Sequence, residues 1–389
     1  MNKMLKIIFV TVLCLVFLGS FLLIGCQAQA SETTAAATTA AATTAAAAET
    51  TAAAAETTAE WIPYYKTADF VPFVKLPEAA VYKPEDEMTI KPVDRIPEEA
   101  VRVGILGGQT NPFFDAVYAG VDAAKVELAR HNCVVDWIIP GATFGSGDYG
   151  EAINTLVTKG YPGIGTMIFN EGMIPFVDGA VDQGTVVGAW CVTSKEPNNA
   201  LFFIGQDLYK GGVVAADALA KEIGGKGKVA IVTGFYSVYG HEQRRLGFVD
   251  TIKAKYPDIE IVGEAENQDL ADKALTAVTD FITANPDLAA VYNTAGGPTG
   301  CIEAVKQAGK TDQIKIECFY VPELAPYIEA GECAAGIAQN AYAEGHDTAV
   351  RIFNYLMDGV LPSAQNMYTD MFVVTPETLQ EFLDSGQGA

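Results

Sequence analysis

Histidine is nearly absent, with three in 389 residues, which leaves little material for a His-based metal site or a His general base. Basic residues are scarce as well: 25 Lys and Arg stand against 48 Asp and Glu, a formal net charge of −23. So acidic a chain lacks the cations that neutralise phosphates, which argues against nucleic acid as a partner and favours a self-repelling, soluble surface. Cysteine is sparse too. Cys14 and Cys26 lie in the opening stretch, and Cys133, Cys191, Cys301, Cys318 and Cys333 form no C-x-x-C. Neither a disulfide framework nor a zinc site is indicated, and most of these thiols read as small buried side chains. What is abundant is apolar surface, half of all residues, enough at this length for two domains with sizeable cores.

Lys3 and Lys6 precede an apolar run from Ile7 to Ile24, the order of a secretory signal over residues 1–25. The run ends in Leu23-Ile24-Gly25-Cys26, which is similar to a bacterial lipobox. That similarity implies cleavage before Cys26 and lipidation of its sulfur, so that acyl chains hold the chain at the extracytoplasmic face of the cell membrane. The alternative, one transmembrane helix, has a run near the short end for a span. Residues 26–60 are almost entirely Ala and Thr with scattered Glu and cannot form a core; they read as a spacer, open to glycosylation on Thr or to partial helix. In 61–100, Trp61, Tyr64, Tyr65, Phe70 and Phe73 are interleaved with prolines. Proline at that density excludes regular helix, and the aromatics predict a strap that packs onto a surface.

From Val101 onward strands and helices alternate. V-R-V-G-I-L-G-G followed by Gln-Thr-Asn111-Pro112 reads as a buried strand feeding a helix capped by Asn111. Adjacent residues in a first helical turn point apart, so one of Phe113 and Phe114 is expected above the strand's carboxyl end. Further strands are expected at Cys133–Ile139, Gly163–Phe169 and Thr185–Trp190, with a short edge strand at Leu201–Ile204. A second series follows at Lys228–Thr233, Ile259–Gly263, Ala289–Asn293 and Ile314–Phe319. Helical spacing of Leu246, Val249 and Ile252, of Leu275, Val278 and Ile282, and of Ala349, Ile352, Phe353 and Leu356 marks core-facing stripes between and after them. Alternation of this kind implies parallel sheets, and two series imply two lobes.

Enzyme signatures fail on inspection. Gly309-Lys310-Thr311 closes a helix and has Ala304 where a phosphate loop needs glycine. Gly224-Gly225-Lys226-Gly227 precedes a strand instead of following one. Ser146 and Ser237 lack a nucleophile elbow, and His131, His241 and His346 read as surface or helix-end residues. The chain is not expected to be an enzyme or to carry a cofactor or metal.

Six motifs recur in order: Asn111-Pro112-Phe113-Phe114; Ile204-Gly205-Gln206-Asp207 with Gly211-Gly212; Gly227 to Ile231; Arg244-Arg245-Leu246-Gly247-Phe248; Asn285-Pro286-Asp287-Leu288; and Gly336-Ile337-Ala338-Gln339-Asn340. Together, over Val101 to Val374, they resemble the type I periplasmic binding proteins of the ribose and galactose group, the substrate-binding components of sugar importers. The resemblance implies an α/β fold of two Rossmann-like lobes with parallel sheets, joined by a three-crossing hinge that closes on a ligand. It divides the chain into an N-terminal lobe, 101–205 plus 341–366, and a C-terminal lobe, 206–340 plus 367–389. It further implies that Asn111 hydrogen-bonds the ligand, that Phe113 and Phe114 form an apolar wall, and that Arg244 is the cationic donor, with Arg245 facing water. Arg244 read alone would be a solvated helix residue, Gln339 at the second crossing is either a ligand contact or a hinge residue, and Asp207 is either a polar contact or a helix cap.

Where the family carries acceptor aspartates this chain has Trp190-Cys191-Val192, Asn293-Thr294-Ala295-Gly296-Gly297 and Cys318-Phe319-Tyr320. Trp190, Cys191, Asn293, Thr294 and Tyr320 are therefore expected at the ligand, with Phe235 at the mouth of the second lobe. Loss of the acceptor carboxylates predicts a less hydroxylated, partly apolar or mildly anionic ligand, or a sugar held by stacking. The implied role is delivery of a sugar or sugar-like molecule by a monomer to an ABC permease in the membrane; the alternative is a receptor that reports occupancy to a membrane sensor. Changing Cys26→Ser should move the chain from the membrane to the soluble fraction on cell fractionation, and persistence in the membrane would identify an uncleaved helix.

Overall fold

Strands apolar at every position, rather than at alternate ones, belong to sheets covered on both faces. In the computed structural model, which describes residues 61–81, 90–108, 112–141 and 145–385, the strands Gly163–Thr166, Val186–Trp190, Phe202–Gly205 and Ala335–Ala338 are buried throughout. The leader, the spacer, Cys26 and Asn111 lie outside the described residues. From Glu60 onward the chain is one compact unit. Its elements run β1 (Ala79–Val81), β2 (Val101–Leu106), α1 (Pro112–Ala129), β3 (Cys133–Ile138), α2 (Ser146–Thr158), β4 (Gly163–Thr166), α3 (Ile174–Asp182), β5 (Val186–Trp190) and β6 (Phe202–Gly205). After a first crossing come α4 (Leu208–Glu222), β7 (Gly227–Thr233), α5 (Tyr239–Lys255), β8 (Ile259–Glu266), α6 (Ala271–Ala284), β9 (Leu288–Asn293), α7 (Pro298–Gln307), β10 (Lys315–Phe319), α8 (Ala325–Glu329) and β11 (Ala335–Ala338). The second crossing leads to α9 (Ala341–Asp358) and β12 (Asn366–Tyr368), and the third to β13 (Phe372–Val374) and α10 (Leu379–Asp384).

Two sheets result, in the orders β1-β12-β6-β5-β4-β2-β3 and β13-β11-β10-β9-β7-β8. All neighbours are parallel except β13 on β11. In each sheet the chain steps first to one side of its opening strand and then to the other, as from β2 to β3 and then β4. That reversal opens a crevice at the carboxyl ends of the strands, where doubly wound sheets receive ligands. One correction concerns β6: it is not an edge strand, because β12 pairs beside it and β1 beside β12. The first sheet also keeps the chain to Tyr368, past the expected boundary at 366.

The strap packs onto the first lobe. Tyr64, Phe70 and Tyr355 form a ring cluster, with centroids 5.5 to 6.4 Å apart, and the Tyr355 hydroxyl donates to the Val71 carbonyl at 2.6 Å. Asn354 reads the strap's backbone with both ends of its amide, accepting from Val93 N–H and donating to the Lys91 carbonyl. Asp358 takes Trp61 and Arg95. The carboxyl end of α9 is thus the strap's dock. His346 is a second correction: it lies inside α9, 3% exposed, with Nε2 3.1 Å from Glu127 of α1 and Nδ1 2.6 Å from Asp347.

Helices that enter a lobe from a crossing pack against that lobe's first helix at glycines. A Cβ on Gly212 of α4 would stand 2.0 Å from the Arg244 carbonyl oxygen of α5, and one on Gly247 of α5 would stand 2.0 Å from the Tyr209 carbonyl. The first lobe repeats the device, with Gly120 of α1 against Tyr342 and Gly345 of α9 against Val117, both at 2.1 Å. Backbone this close leaves no room for a methyl group to relax into. Gly247→Ala should lower unfolding stability by about 2–4 kcal/mol in denaturant titrations. Gly179→Ala in α3, where nothing stands within 4 Å, should raise it by about 0.5–1 kcal/mol, and equal effects at the two sites would refute the packing argument.

Candidate functional site

The crevices of the two sheets face one cavity of about 310 Å³. From the first lobe it receives Phe113 and Phe114 at the start of α1, Met167 and Phe169 beyond β4, and Cys191 and Val192 beyond β5. Both phenylalanines reach it. Their rings meet edge to face at 5.2 Å, and Phe114 rests in turn on Trp190 at 6.2 Å. Cys191 has φ 62°, so the chain kinks as it leaves β5; burial pushes its thiol well above the ordinary range, keeping it neutral.

The second lobe supplies the charge. Arg244, on α5, is 6% exposed. Its Nη1 donates to the Thr294 carbonyl at 3.2 Å, its Nη2 donates to Gln339 Oε1, and its guanidinium lies 3.7 Å above the centre of the Phe319 ring. Burial lowers its pKa, but a guanidinium stays protonated in proteins. The Nε proton has no acceptor, and no carboxylate pairs with this arginine among the described ion pairs. Arg245, one residue on, points the other way, into Glu242 and Glu264 at 2.6 and 2.8 Å.

Two residues beside Arg244 were not anticipated. His241 Nδ1 accepts the Phe235 N–H at 3.0 Å, which leaves the neutral ring's proton on Nε2; burial holds the imidazole below its ordinary pKa. Asp269 sits in the loop between β8 and α6, where Gln268 and Asp269 both adopt positive φ, 55° and 58°. Its Oδ1 accepts the Gly296 N–H at 2.8 Å, and Asn267 braces the same loop by donating to the Gly296 carbonyl. Gly234 makes room for both groups: a Cβ there would stand 2.2 Å from Asp269 Oδ1 and 2.6 Å from His241 Nδ1. Gly297, at φ 81°, starts α7 without a side-chain cap, and with Pro298 and Thr299 it lines the cavity at the first turn of that helix. Asp269 could have been sought as a polar residue closing a strand-to-helix loop at the switch point. For His241, one turn before Arg244 on the same helix, the position was the available signal.

Of the expected contacts, Phe113, Phe114, Cys191, Arg244 and Gln339 line the cavity, and five others do not. Trp190 is fully buried beneath Phe114, because its side chain leaves the sheet face and not the strand end. Phe235 stacks on His241 at 6.3 Å and lets that ring take the lining position. Asn293 folds its own loop, accepting from Ala295 N–H at 3.3 Å. Thr294 offers its carbonyl to Arg244 and spends its hydroxyl on Thr233 at 2.8 Å. Tyr320 turns away to pack on Phe382 at 4.8 Å and borders a separate gap of about 20 Å³ behind the second crossing. Asp207 caps α4, accepting from Lys210 N–H at 3.1 Å.

Glu344 lies behind this wall, fully buried on α9, with neither carboxyl oxygen hydrogen-bonded. Burial pushes its pKa well above the ordinary 4.5, against the opposing pull of Arg244. A group raised in the fold contributes stability fully below its unfolded pKa, and the contribution is lost as pH rises through the folded value. Glu344→Gln should therefore melt like the unaltered chain near pH 5 and several degrees above it at pH 8; a constant difference across that window would show the carboxyl to be ionised in the fold.

A model described as a periplasmic binding protein domain matches residues 104–359. The ribose import binding protein of Bacillus subtilis (strain 168) is 24% identical over 204 residues, 51% of this chain and 63% of that protein. The D-allose-binding periplasmic protein of Escherichia coli (strain K12) is 30% identical over 149 residues, 38% of this chain and 48% of that one. Both alignments span less than two thirds of the relative. Among solved structures, a glucose-galactose binding protein from Geobacillus stearothermophilus superposes with a TM-score of 0.65 at 23% identity, over 72% of this chain and 99% of the other.

Proposed function

The chain belongs to the periplasmic binding protein domain family, and on that premise we propose that it is a lipid-anchored extracytoplasmic solute-binding protein. It captures a sugar or sugar-like molecule between its lobes and delivers it to an ABC permease, acting as a monomer without catalysis. The observation that carries this reading is a cavity shared by the carboxyl ends of both sheets, walled by two lobes that are joined through three short crossings. A ligand that touches both walls is bound better by the closed form than by the open one, and shifts the population toward closure. Gln339 links that event to the hinge, since it lies at the second crossing and holds Arg244. The ribose and allose named for the relatives are sugars, which supports the ligand class, and the leader ending at Cys26 supports the anchor.

A second reading, occupancy sensing, draws on the fold shared with a chain solved as the XylFII-LytSN complex, TM-score 0.64. Lobe closure serves either output.

The test is a thermal-shift screen of the chain against pentoses, hexoses, cyclitols, nucleosides and sugar acids. A ligand at a hundred times its Kd adds about 2.7 kcal/mol, a rise of several degrees. Arg244→Ala should keep the near-UV spectrum of the folded chain and lose the shift with any hit. No hit in the whole panel would sink the reading, and a shift that survives in the variant would remove Arg244 from the site.

A further inference from the structure

The loops after β7, β8 and β9 converge to hold one carboxylate at the cavity. Gln268 and Asp269 are consecutive left-handed residues, a conformation that side chains resist and that persists only where the surroundings impose it. Here the two flanking strand ends impose it: Asn267 and Gln268 donate their backbone N–H groups to the Thr233 and Gly234 carbonyls at the end of β7, and Asn267 Nδ2 donates to the Gly296 carbonyl beyond β9. Gly296 has to be glycine, since a Cβ there would stand 2.7 Å from the Asp269 Cβ and 3.0 Å from its carboxyl carbon. Without one, its N–H reaches Asp269 Oδ1 at 2.8 Å. The Cβ that Gly234 lacks would lie against Asp269 Oδ1 and His241 Nδ1 alike, so the carboxylate and the imidazole are neighbours. Each has one polar atom tied to backbone, Oδ1 by Gly296 and Nδ1 by Phe235. Their other polar atoms, Asp269 Oδ2 and the protonated Nε2 of His241, are not buried, and they belong to half-buried residues that line the cavity. One strong acceptor and one donor are thus presented close together.

We propose that Asp269 is the specificity-determining acceptor of this site, Oδ2 receiving a hydroxyl hydrogen bond from the ligand while His241 Nε2–H donates to an adjoining ligand oxygen. The pair reads two neighbouring hydroxyl groups, and the β8–α6 loop thereby supplies a carboxylate that the strand ends at 190–192 and 318–320 do not carry. A charged acceptor binds a hydroxyl more strongly than a neutral one does, and the fixed Oδ1 aims the other oxygen before the ligand arrives. This rests on the reading of the cavity as a sugar-type site and names the residue that selects its ligand.

Calorimetry on the chain with D-ribose, D-allose and D-galactose tests the assignment. Asp269→Asn keeps an acceptor for Gly296 and tolerates the left-handed region, so the loop holds its shape while the charged acceptor is lost. Whichever of the three sugars binds the unaltered chain should bind this variant about ten- to a hundredfold more weakly. Asp272→Asn, which removes the same charge from an exposed residue in the first turn of α6, should bind as the unaltered chain does. Gly296→Ala should also weaken binding, because its methyl group displaces Asp269, and in the double variant with Asp269→Asn the two losses should not add. Undiminished binding in Asp269→Asn would overturn the assignment and leave the sugar-binding reading standing; so would additive losses in the double variant, or an equal loss from Asp272→Asn. If none of the three sugars binds the unaltered chain, the inference falls, and the broader screen decides the reading. Should the asparagine variant fail to fold, Asp269→Gly, unstrained at positive φ, takes its place in the same comparison.

Discussion

The two glycine contacts between helices fix the distances on which the cavity depends. Each lobe is entered through a crossing, and the entering helix lies across that lobe's opening helix at backbone contact, Gly212 with Gly247 in one and Gly120 with Gly345 in the other. The opening helices carry the walls: α5 carries His241 and Arg244, and α1 begins with Phe113 and Phe114. Crossing and wall are therefore set against each other by peptide groups, which are stiffer than interlocked side chains. A side chain at any of these glycines would lift a wall away from its hinge, so the cost falls on the site as well as on the fold.

Within that frame the arrangement of Arg244 is the costly one. A cation 6% exposed, with two neutral carbonyl acceptors and a phenyl ring as its company, lacks the paired carboxylate that usually offsets desolvation. Cation–π attraction to Phe319 and the bonds to Thr294 and Gln339 recover part of the loss and hold the fork still. What they leave is one nitrogen without any acceptor, Nε, and a positive field with no anion in contact. Glu344 does not fill that role, because burial keeps its carboxyl toward the neutral form. Because Arg244 lines the cavity with its fork held in this way, a bound acceptor would face a group already oriented.

The alternation of strands and helices, the two-lobe division and the cavity's aromatic lip at Phe113 and Phe114 were legible because they rest on local periodicity and on motifs continuous in sequence. The misread contacts share a different cause. Trp190, Asn293, Thr294 and Tyr320 stand at strand ends, where one residue of offset decides whether a side chain points into the crevice or under it, and an ungapped motif does not carry that offset. Asp269 escaped notice because two consecutive non-glycine residues in the left-handed region have no sequence signature, although they are what swings the carboxylate to Gly296. The edge position given to β6 failed for a topological reason: the two strands that continue the sheet beyond it, β12 and then β1, come from opposite ends of the chain.

Those distant neighbours also explain how three crossings act as one hinge. Thr369, the residue after β12, donates its N–H to the Gly205 carbonyl at the first crossing and its hydroxyl to the Gln339 carbonyl at the second. A single residue of the third crossing is thereby bonded to both others, and Gln339 passes the connection to Arg244. Lobe movement that kept these bonds would have to turn about this knot instead of sliding one lobe past the other. The strap adds its strand, β1, on the outer side of β12, so the segment that joins the lobes to the rest of the chain is anchored on the sheet next to the pivot. Because β12 is the strand that feeds Thr369, and β1 is its only cover on that side among the described residues, the strap stiffens the part of the first lobe about which closure turns.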